Sequence, residues 1–320
     1  MSLSTDYQYN KLDANLPSFA FPTRHTEMIA LASQWRLWQK LKLQASILGT
    51  FIQERVEDTK FSNPAPAKQE YSPALFFSYE PLKSKTLKIH GFYKNIFRMP
   101  TFNDLYYSEI GFSNLKPEYT EQWDLGISFS KDFSRTLTHF NLTADVYHHI
   151  SKDKIVAFPR GQQFRWTMLN LGKVDAKCVD ISAQSIWLIA RNLILNNRLS
   201  YTYEEAIDIT NPEDFYYKHQ IPYIPKHSGS MVLGLIYKDW AVNYSFLYTG
   251  KRHNMQANIL SNFEQPWYTS DISIFREIPM KKMKIRAGLE VNNLFNQYYS
   301  VIRNFPMPGT NYRASLKIQF

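Results

Sequence analysis

The sequence is poor in the residues that mark several common classes of protein. It contains only 11 Gly and one Cys in 320 residues, and it has no run of about eighteen apolar residues. Scarce glycine argues against Gly-rich phosphate loops and low-complexity repeats, and the lone Cys178 excludes an internal disulfide and a cysteine-based zinc site. The missing apolar run excludes a transmembrane helix. The start, MSLSTDYQYN, lacks a signal-peptide pattern, so either the protein is cytosolic or a leader lies outside this chain.

Aromatic and basic residues are abundant instead. Phe, Trp and Tyr make up 16% of the chain. The 37 Lys and Arg outnumber the 28 Asp and Glu, which gives a net charge of +9. These cations are spread along the whole sequence, and MKKMK (280–284) is the longest run they form. Spread charge is typical of a solvated surface, whereas a nucleic-acid face concentrates its charge. We therefore predict no nucleic-acid partner.

Apolar residues recur at every second position in segments of about ten residues, the period of a β-strand. In NYRASLKIQF, for example, the apolar residues Tyr312, Ala314, Leu316, Ile318 and Phe320 fall on one face. Competing helical periodicity is hard to find. We predict an all-β protein with about thirteen strands, near residues 26–36, 40–52, 71–81, 87–98, 120–130, 137–150, 165–187, 192–204, 227–237, 240–250, 266–277, 283–295 and 311–320.

The connections between these strands alternate between short turns and long segments of about fifteen to twenty residues. An antiparallel barrel of the bacterial outer membrane has this alternation, because short periplasmic turns face long outward loops. In such a wall the apolar face meets lipid and the polar face meets a wet lumen. We predict this architecture and an outer-membrane location. The alternative is a soluble β-rich protein, with one wet face, that binds a ligand such as a glycan or nucleic acid.

An odd number of antiparallel strands cannot close, because the first and last strands would run parallel. We therefore expect residues 1–320 to be the C-terminal part of a larger barrel, with 1–25 as an extracellular loop segment. In a closed barrel the strand 311–320 would pair with a first strand that this chain does not contain.

Four stretches resemble the TonB-dependent outer-membrane receptors. FRMPTFNDLYY (97–107) and SNLKPEYTEQWDLGISF (113–129) resemble the mid-barrel signature of that family. LNLGKVDAKCVDIS (169–182) is similar to a later family strand, with Cys178 where Gly is usual. VNNLFNQYYSVIRNFPMPGTNYRASLKIQF (291–320) resembles the family's C-terminal signature. The matches keep the family's order over roughly residues 95 to 320.

The resemblance implies a barrel of about twenty-two strands and a plug domain that is absent from this chain. It implies uptake of a scarce small-molecule nutrient, energised by the TonB complex through the missing N-terminal region. Haem receptors of the family commonly carry a His between the first two motifs, and 100–115 contains none. Of the family's nutrients, which are ferric siderophores, haem, cobalamin and glycans, haem is therefore the least favoured. The stretches DKIVAFP (153–159) and FRWTMLNLGKVD (164–175) resemble cobalamin-receptor-like members from Bacteroidetes, and cobalamin and ferric siderophores are favoured equally. The terminal Phe320 resembles the family's signal to the barrel-assembly machinery.

No catalytic motif of the common hydrolases, nucleotide-binding proteins or metalloproteases occurs, and we predict no enzyme activity, no cofactor and no metal. An outer-membrane barrel enzyme of phospholipase or protease type is the alternative. Aromatic and arginine side chains on outward loops can stack on and pair with an anionic or conjugated ligand. The candidate ligand-binding residues are Tyr106, Tyr107, Arg160, Arg165, Trp166 and Arg252. Their simpler interpretation is loop packing and contact with outer-membrane lipid and lipopolysaccharide.

Overall fold

The computed structural model describes residues 1–16, 19–106, 114–160, 165–280 and 283–319, with only the backbone described at 158–160 and 165–166. The described residues are almost entirely extended, as the period-two sequence requires. The strands are β1 (Ser2–Lys11), β2 (Pro22–Leu37), β3 (Leu41–Val56), β4 (Lys68–Tyr79), β5 (Leu87–Arg98), β6 (Glu118–Asp132), β7 (Leu137–Arg160), β8 (Arg165–Ala190), β9 (Leu193–Asp208), β10 (His227–Tyr237), β11 (Trp240–Thr249), β12 (Arg252–His253), β13 (Phe263–Glu264), β14 (Trp267–Pro279), β15 (Lys284–Asn292), β16 (Ser300–Ile302), β17 (Phe305–Pro306) and β18 (Asn311–Gln319). One α-helix, α1 (Phe102–Tyr106), and one 3-10 turn, Leu260–Asn262, lie in the loops.

Fourteen of these strands form one antiparallel sheet in which every strand pairs with its neighbours in the chain. The order is β1-β2-β3-β4-β5-β6-β7-β8-β9-β10-β11-β14-β15-β18, and β12-β13 and β16-β17 form two small hairpins outside it. Each of the thirteen strands predicted from the sequence overlaps a strand of this sheet. The predicted antiparallel all-β architecture is confirmed.

The first strand was not predicted, and the expectation that residues 1–25 form a loop is wrong for Ser2–Lys11 and for residues 22–25, with which β2 begins. This segment pairs with β2 from Ser2 opposite Ala32 to Lys11 opposite Thr23. Its Ser, Asp, Gln and Asn residues are typical of loops, but backbone pairing with the long β2 overrides that preference. Because the sheet has fourteen strands, the argument from an odd strand number no longer applies.

The sheet carries its apolar side chains on the more exposed face. Trp123 is 54% exposed, Leu125 58% and Val146 59%, whereas small and polar residues that alternate with such side chains, including Thr120 and Ser151, are buried. This is the inverse of a soluble fold, in which the apolar face is covered. It is the arrangement expected where one face meets lipid and the concave face meets a polar lumen, and it argues against the soluble alternative.

Short turns and long loops lie at opposite ends of the sheet. The turns at 38–40, 133–136, 191–192 and 238–239 join consecutive strands at one end, and the segments 57–67, 99–117, 209–226, 250–266 and 293–310 join them at the other. Among the described residues no helix is both long enough and apolar enough to cross a membrane. The long-loop end is the rim on which the candidate ligand-binding residues were predicted.

Candidate ligand-binding rim

The outward loops form two clusters, which we define by the segments they join. The first loop cluster contains the described residues 12–16, 19–21, 57–67, 99–106 and 114–117, which pack over a small apolar core of Phe19, Ala20, Ala65, Leu105, Tyr106 and Leu115. The second loop cluster contains 209–226, 250–266 and 293–310, and its members are joined mainly by side-chain amides and by two arginines, Arg252 and Arg303. Within each cluster, loops that are separate in the sequence are in contact with one another.

A buried ion pair anchors the first loop cluster. Arg24 on β2 donates from Nε to Glu54 Oε2 on β3 at 2.7 Å, and the two side chains are 12% and 1% exposed. Arg24 Nη2 also donates to the carbonyl of Pro100 at 2.7 Å. A carboxylate this deeply buried requires charge and hydrogen-bond partners. Arg24 supplies the charge and at the same time holds the loop that begins after β5.

Tyr106 completes the partners of Glu54. Its hydroxyl donates to Glu54 Oε1, and the amide of Ala65 donates to the Tyr106 hydroxyl at 3.3 Å. Burial, followed by the hydrogen bond to Glu54, raises the pKa of Tyr106 above its ordinary value. Tyr106 therefore remains a neutral donor, and it joins loops 57–67 and 99–117.

The helix between β5 and β6 begins with a reciprocal cap. Thr101 N donates to Asp104 Oδ2 at 2.8 Å, and Asp104 N donates to Thr101 Oγ1 at 3.2 Å. This Thr-x-x-Asp arrangement satisfies two amides that the helix itself leaves unpaired. Arg98 then bridges Asp104 and Glu118, each at 3.4 Å. Thus Thr101 and Asp104 of the PTFND motif shape the loop themselves.

The sequence motifs of the middle of the chain meet at this point. Glu118 Oε2 accepts from the amide of Ile155 at 3.1 Å. Asn170 exchanges two hydrogen bonds with the backbone of Lys116, at 2.8 and 3.0 Å. The segments 97–107, 113–129 and 169–182 are therefore connected through specific polar contacts. Arg98, Glu118 and Asn170 support the rim in this way.

Side-chain amides join the second loop cluster. The backbone N of Gln220 donates to Asn258 Oδ1 at 2.7 Å, and Asn258 Nδ2 donates back to the Gln220 carbonyl at 3.0 Å. Gln256 Nε2 donates to Asp208 Oδ2 at 2.7 Å. An amide imitates a backbone edge, so these pairs extend sheet-like bonding into irregular loops.

Arg252 joins two members of this cluster, the loops 250–266 and 293–310. The residue is 4% exposed, and its Nη2 donates to the carbonyls of Ser300 at 2.7 Å and Val301 at 3.1 Å. Nη1 donates to the carbonyl of Gln265 at 3.3 Å. The predicted ligand-binding arginine is thus occupied by backbone carbonyls on two loops.

Asn293 organises the loop from 293 to 310. It has a positive φ of 50°, which Asn tolerates better than most residues. Its Nδ2 donates to the carbonyls of Gln297 at 2.8 Å and Pro308 at 3.2 Å, and its Oδ1 accepts from Gln297 N at 2.8 Å. The VNN motif of the C-terminal signature therefore has a structural role as the corner of this loop.

The candidate ligand-binding residues are distributed over three places. Tyr106 lies in the first loop cluster and Arg252 in the second, both buried. The backbones of Arg160 and Arg165 face each other where β7 and β8 end, next to the pair of Pro159 and Trp166. Tyr107 and Phe320 lie outside the described residues. The structure gives no contact that joins Tyr106 to Arg252, and ligand contact stays a prediction for the whole set.

Sequence reasoning missed most of the residues that hold the rim together. Arg24, Glu54, Gln220 and Asn258 carried no recognisable motif, because each acts through a partner on another strand or loop. Two signals were available. Thr101 and Asp104 have capping-box spacing, and the paired Asn residues 292–293 lie at the end of a strand, a position that favours turns.

An open antiparallel sheet with apolar residues on its more exposed face and hydrogen-bonded loops at one end defines the class: the wall of a transmembrane β-barrel. Comparison with protein families shows to which family of such barrels the chain is related. The family "TonB dependent receptor-like, beta-barrel" matches residues 2–294. The chain belongs to this family.

Individual relatives are distant in sequence and close in fold. "Vitamin B12 transporter BtuB" of Photobacterium profundum is 24% identical over 239 residues, covering 70% of this chain and 34% of that protein. The solved structure of "Copper transporter OprC" is 14% identical with a TM-score of 0.72, covering 93% of this chain and 48% of that one. The siderophore receptor PiuA from Acinetobacter baumannii is 15% identical with a TM-score of 0.69, covering 94% and 44%.

The chain therefore spans about a third of the curated relative and about half of each solved structure. Membership of this receptor family confirms the predicted family and the outer-membrane location. This membership also argues against the alternative of a soluble β-rich protein. The relatives named above are transporters and receptors.

Proposed function

We propose that the chain is the C-terminal barrel portion of an outer-membrane receptor for uptake of a scarce nutrient, energised by the TonB complex. Family membership over residues 2–294 supports the proposal. The single structural observation that carries it is the rim, where residues of the family-like motifs form hydrogen bonds that hold the outward loops together. Loops fixed on a rigid wall are a common way to build a binding site.

Cobalamin and ferric siderophores are the nutrients we propose. Among the relatives, one is named a vitamin B12 transporter and another a siderophore receptor. We propose that the receptor binds and passes its nutrient unchanged and is not an enzyme. We further propose that TonB engages a region N-terminal to this barrel portion, that lipopolysaccharide contacts the outer surface, and that the barrel-assembly machinery reads the C-terminal strand.

For ligand contact we retain Tyr106, Tyr107, Arg160, Arg165, Trp166 and Arg252 as the proposed set. The residues at the end of the β7–β8 hairpin are favoured for direct contact, because its strands are the longest in the sheet, at 24 and 26 residues. Tyr106 and Arg252 are buried and hydrogen-bonded. Their proposed contribution is to fix the loops that approach the ligand.

Uptake by cells tests this function. A strain deleted for the gene is complemented with the wild type, with Arg160→Ala/Arg165→Ala, or with Arg135→Ala, an exposed arginine in a short turn at the opposite end. We expect uptake of labelled cobalamin or of a ferric siderophore to depend on TonB. The double variant should reduce uptake at least about tenfold, as expected for loss of charge-assisted contacts, while Arg135→Ala retains it. Uptake that is independent of TonB, or transport of neither nutrient, would contradict the proposal.

The enzyme alternative is tested in the same cells. A phospholipase or protease would release products from labelled lipid or protein, whereas a receptor accumulates its nutrient chemically intact. We expect mass spectrometry of the imported nutrient to show the unmodified compound and the gene deletion to leave lipid and protein turnover unchanged.

A further inference from the structure

One histidine and two aspartates come together on the polar face of the sheet. His90 lies on β5, Asp124 on β6 and Asp145 on β7, and one ligand atom from each lies within 4.8 Å of the others. His90 Nε2 and Asp145 Oδ1 are 2.8 Å apart. We propose that these three side chains bind a divalent transition-metal ion on the lumen side of the barrel wall.

The pairing of three adjacent strands creates this arrangement. His90 is directly opposite Gly126, which in turn is directly opposite Asp145. Asp124 precedes Gly126 by two residues and so points to the same face of β6. The three ligands are distant in the sequence, which explains why sequence analysis predicted no metal.

Gly126 provides the space in which the ligand atoms meet. A Cβ atom at this position would lie 1.9 Å from Asp145 Oδ1 and 2.6 Å from His90 Nε2. Any other residue would therefore force the imidazole and the carboxylate apart. Other glycines of the sheet, such as Gly229 and Gly234, face backbone or amide groups instead.

The surrounding charge favours a cation. Asp145 is directly opposite Asp180 on β8, and like charges in that relation destabilise a sheet. Asp180 accepts a hydrogen bond from Thr202 at 2.6 Å, whereas Asp124 has neither a hydrogen bond nor an ion pair with any residue that the structure describes. Lys94 influences Asp124 electrostatically but forms no ion pair with the described residues. A bound cation would neutralise carboxylates that form no ion pair with a Lys or Arg among the described residues.

The ligand types indicate the class of metal. One imidazole nitrogen with two carboxylate oxygens suits zinc, cobalt, nickel, manganese or ferrous iron. Calcium takes about six to eight oxygen ligands and magnesium keeps an octahedral shell of oxygens, so both fit this set poorly. Three protein ligands would leave coordination positions for water on the lumen side. This site is independent of the nutrient that the outward loops bind.

Cobalt and zinc titrations of the complete gene product, purified in detergent and stripped with a chelator, test the site. We expect about one Co²⁺ per chain, seen as a visible absorption band from nitrogen and oxygen ligation, and displacement by Zn²⁺. His90→Gln and Asp124→Asn should each weaken Co²⁺ binding at least about tenfold, the size of effect expected when a ligand is lost.

His139→Gln is the matched control. His139 Nδ1 lies 2.6 Å from Asp132 Oδ1, so this variant also removes a histidine–aspartate pair, but that pair belongs to no three-ligand group among the described residues. We expect wild-type Co²⁺ binding from it. Heat-modified mobility on gels confirms that each variant has folded. Absence of Co²⁺ binding by the folded wild type, unchanged binding by Asp124→Asn, or equal losses in His139→Gln and His90→Gln would each overturn the proposal.

Discussion

At the scale of single residues, the rim depends on a few buried polar side chains that serve several partners at once. Glu54 accepts from Arg24 and Tyr106, and Arg252 donates to three carbonyls. A buried polar group costs free energy when a partner is removed, because the remaining group stays desolvated. Substitutions of these side chains should therefore destabilise the loops they join, and they should cost more stability than substitutions of exposed residues.

Tyr106→Phe should loosen the first loop cluster. The change removes a donor to Glu54 and one of the two acceptors of the Ala65 amide, whose other acceptor is Glu54 Oε1 at 3.4 Å. We expect the local opening free energy, measured by hydrogen exchange at the Ala65 amide, to fall by about 1–3 kcal/mol. Tyr298→Phe is the control, because Tyr298 is 85% exposed. Equal exchange in the two variants would show that the Tyr106 hydroxyl does not hold the loop.

His253 should make the second loop cluster sensitive to pH. Burial, followed by the neighbouring charges of His219 and Lys251, lowers the pKa of His253. In the open state His253 has its ordinary pKa of about 6.5, so the open state binds the proton more tightly than the closed state. The stabilisation is complete above that pKa and is lost as the pH falls below it. We expect faster protease cleavage within 250–266 at low pH in wild type and a smaller dependence in His253→Gln. A pH dependence that the variant leaves unchanged would contradict a role for His253.

At the scale of elements, thirteen of the fourteen sheet strands follow from the sequence, whereas β1 and the loop contacts do not. A strand in a bilayer needs an apolar residue at every second position, so the thirteen predicted strands could be read directly. The prediction ended one of them at residue 150, but β7 continues to Arg160, opposite β8. Beyond the bilayer, paired backbones need no apolar face. The Gln220–Asn258 pair spans 38 residues and the contact of Arg252 with Ser300 spans 48, distances at which local patterns carry no information.

Arg252→Ala should release the loop between β15 and β18. The guanidinium is the group that joins Ser300 and Val301 to the 250–266 loop, and hydrogen bonds from a charged donor are each worth about 1.5–3 kcal/mol. We expect limited proteolysis within 293–310 to accelerate at least about tenfold while the sheet remains folded. Lys251→Ala, at the adjacent exposed residue, should cleave like the wild type. Similar rates for both variants would contradict a fastening role for Arg252.

At the scale of the whole molecule, the sheet has two edges that the described residues do not cover. β1 and β18 end the fourteen-strand order, and every described residue of both strands is exposed. A barrel removes such edges by closure. In the solved relatives this chain corresponds to about half of a longer protein, so other strands could pair with both edges. The contrast between a well-paired interior and two open edges predicts how the polypeptide behaves alone.

Residues 1–320, produced without further sequence, should associate through these edges. Unpaired amides and carbonyls along a strand form a template for another strand, and the exposed apolar residues Leu3, Leu316 and Ile318 add to the attraction. We expect oligomers or aggregates when the polypeptide is refolded in detergent, measured by size-exclusion chromatography with light scattering. Arg313→Pro in β18, where Arg313 is paired in register with Glu290, should lower association by interrupting the outer edge. A monodisperse monomer from the unsubstituted polypeptide would mean that β1 and β18 pair with each other, and that fourteen strands are sufficient to close this wall.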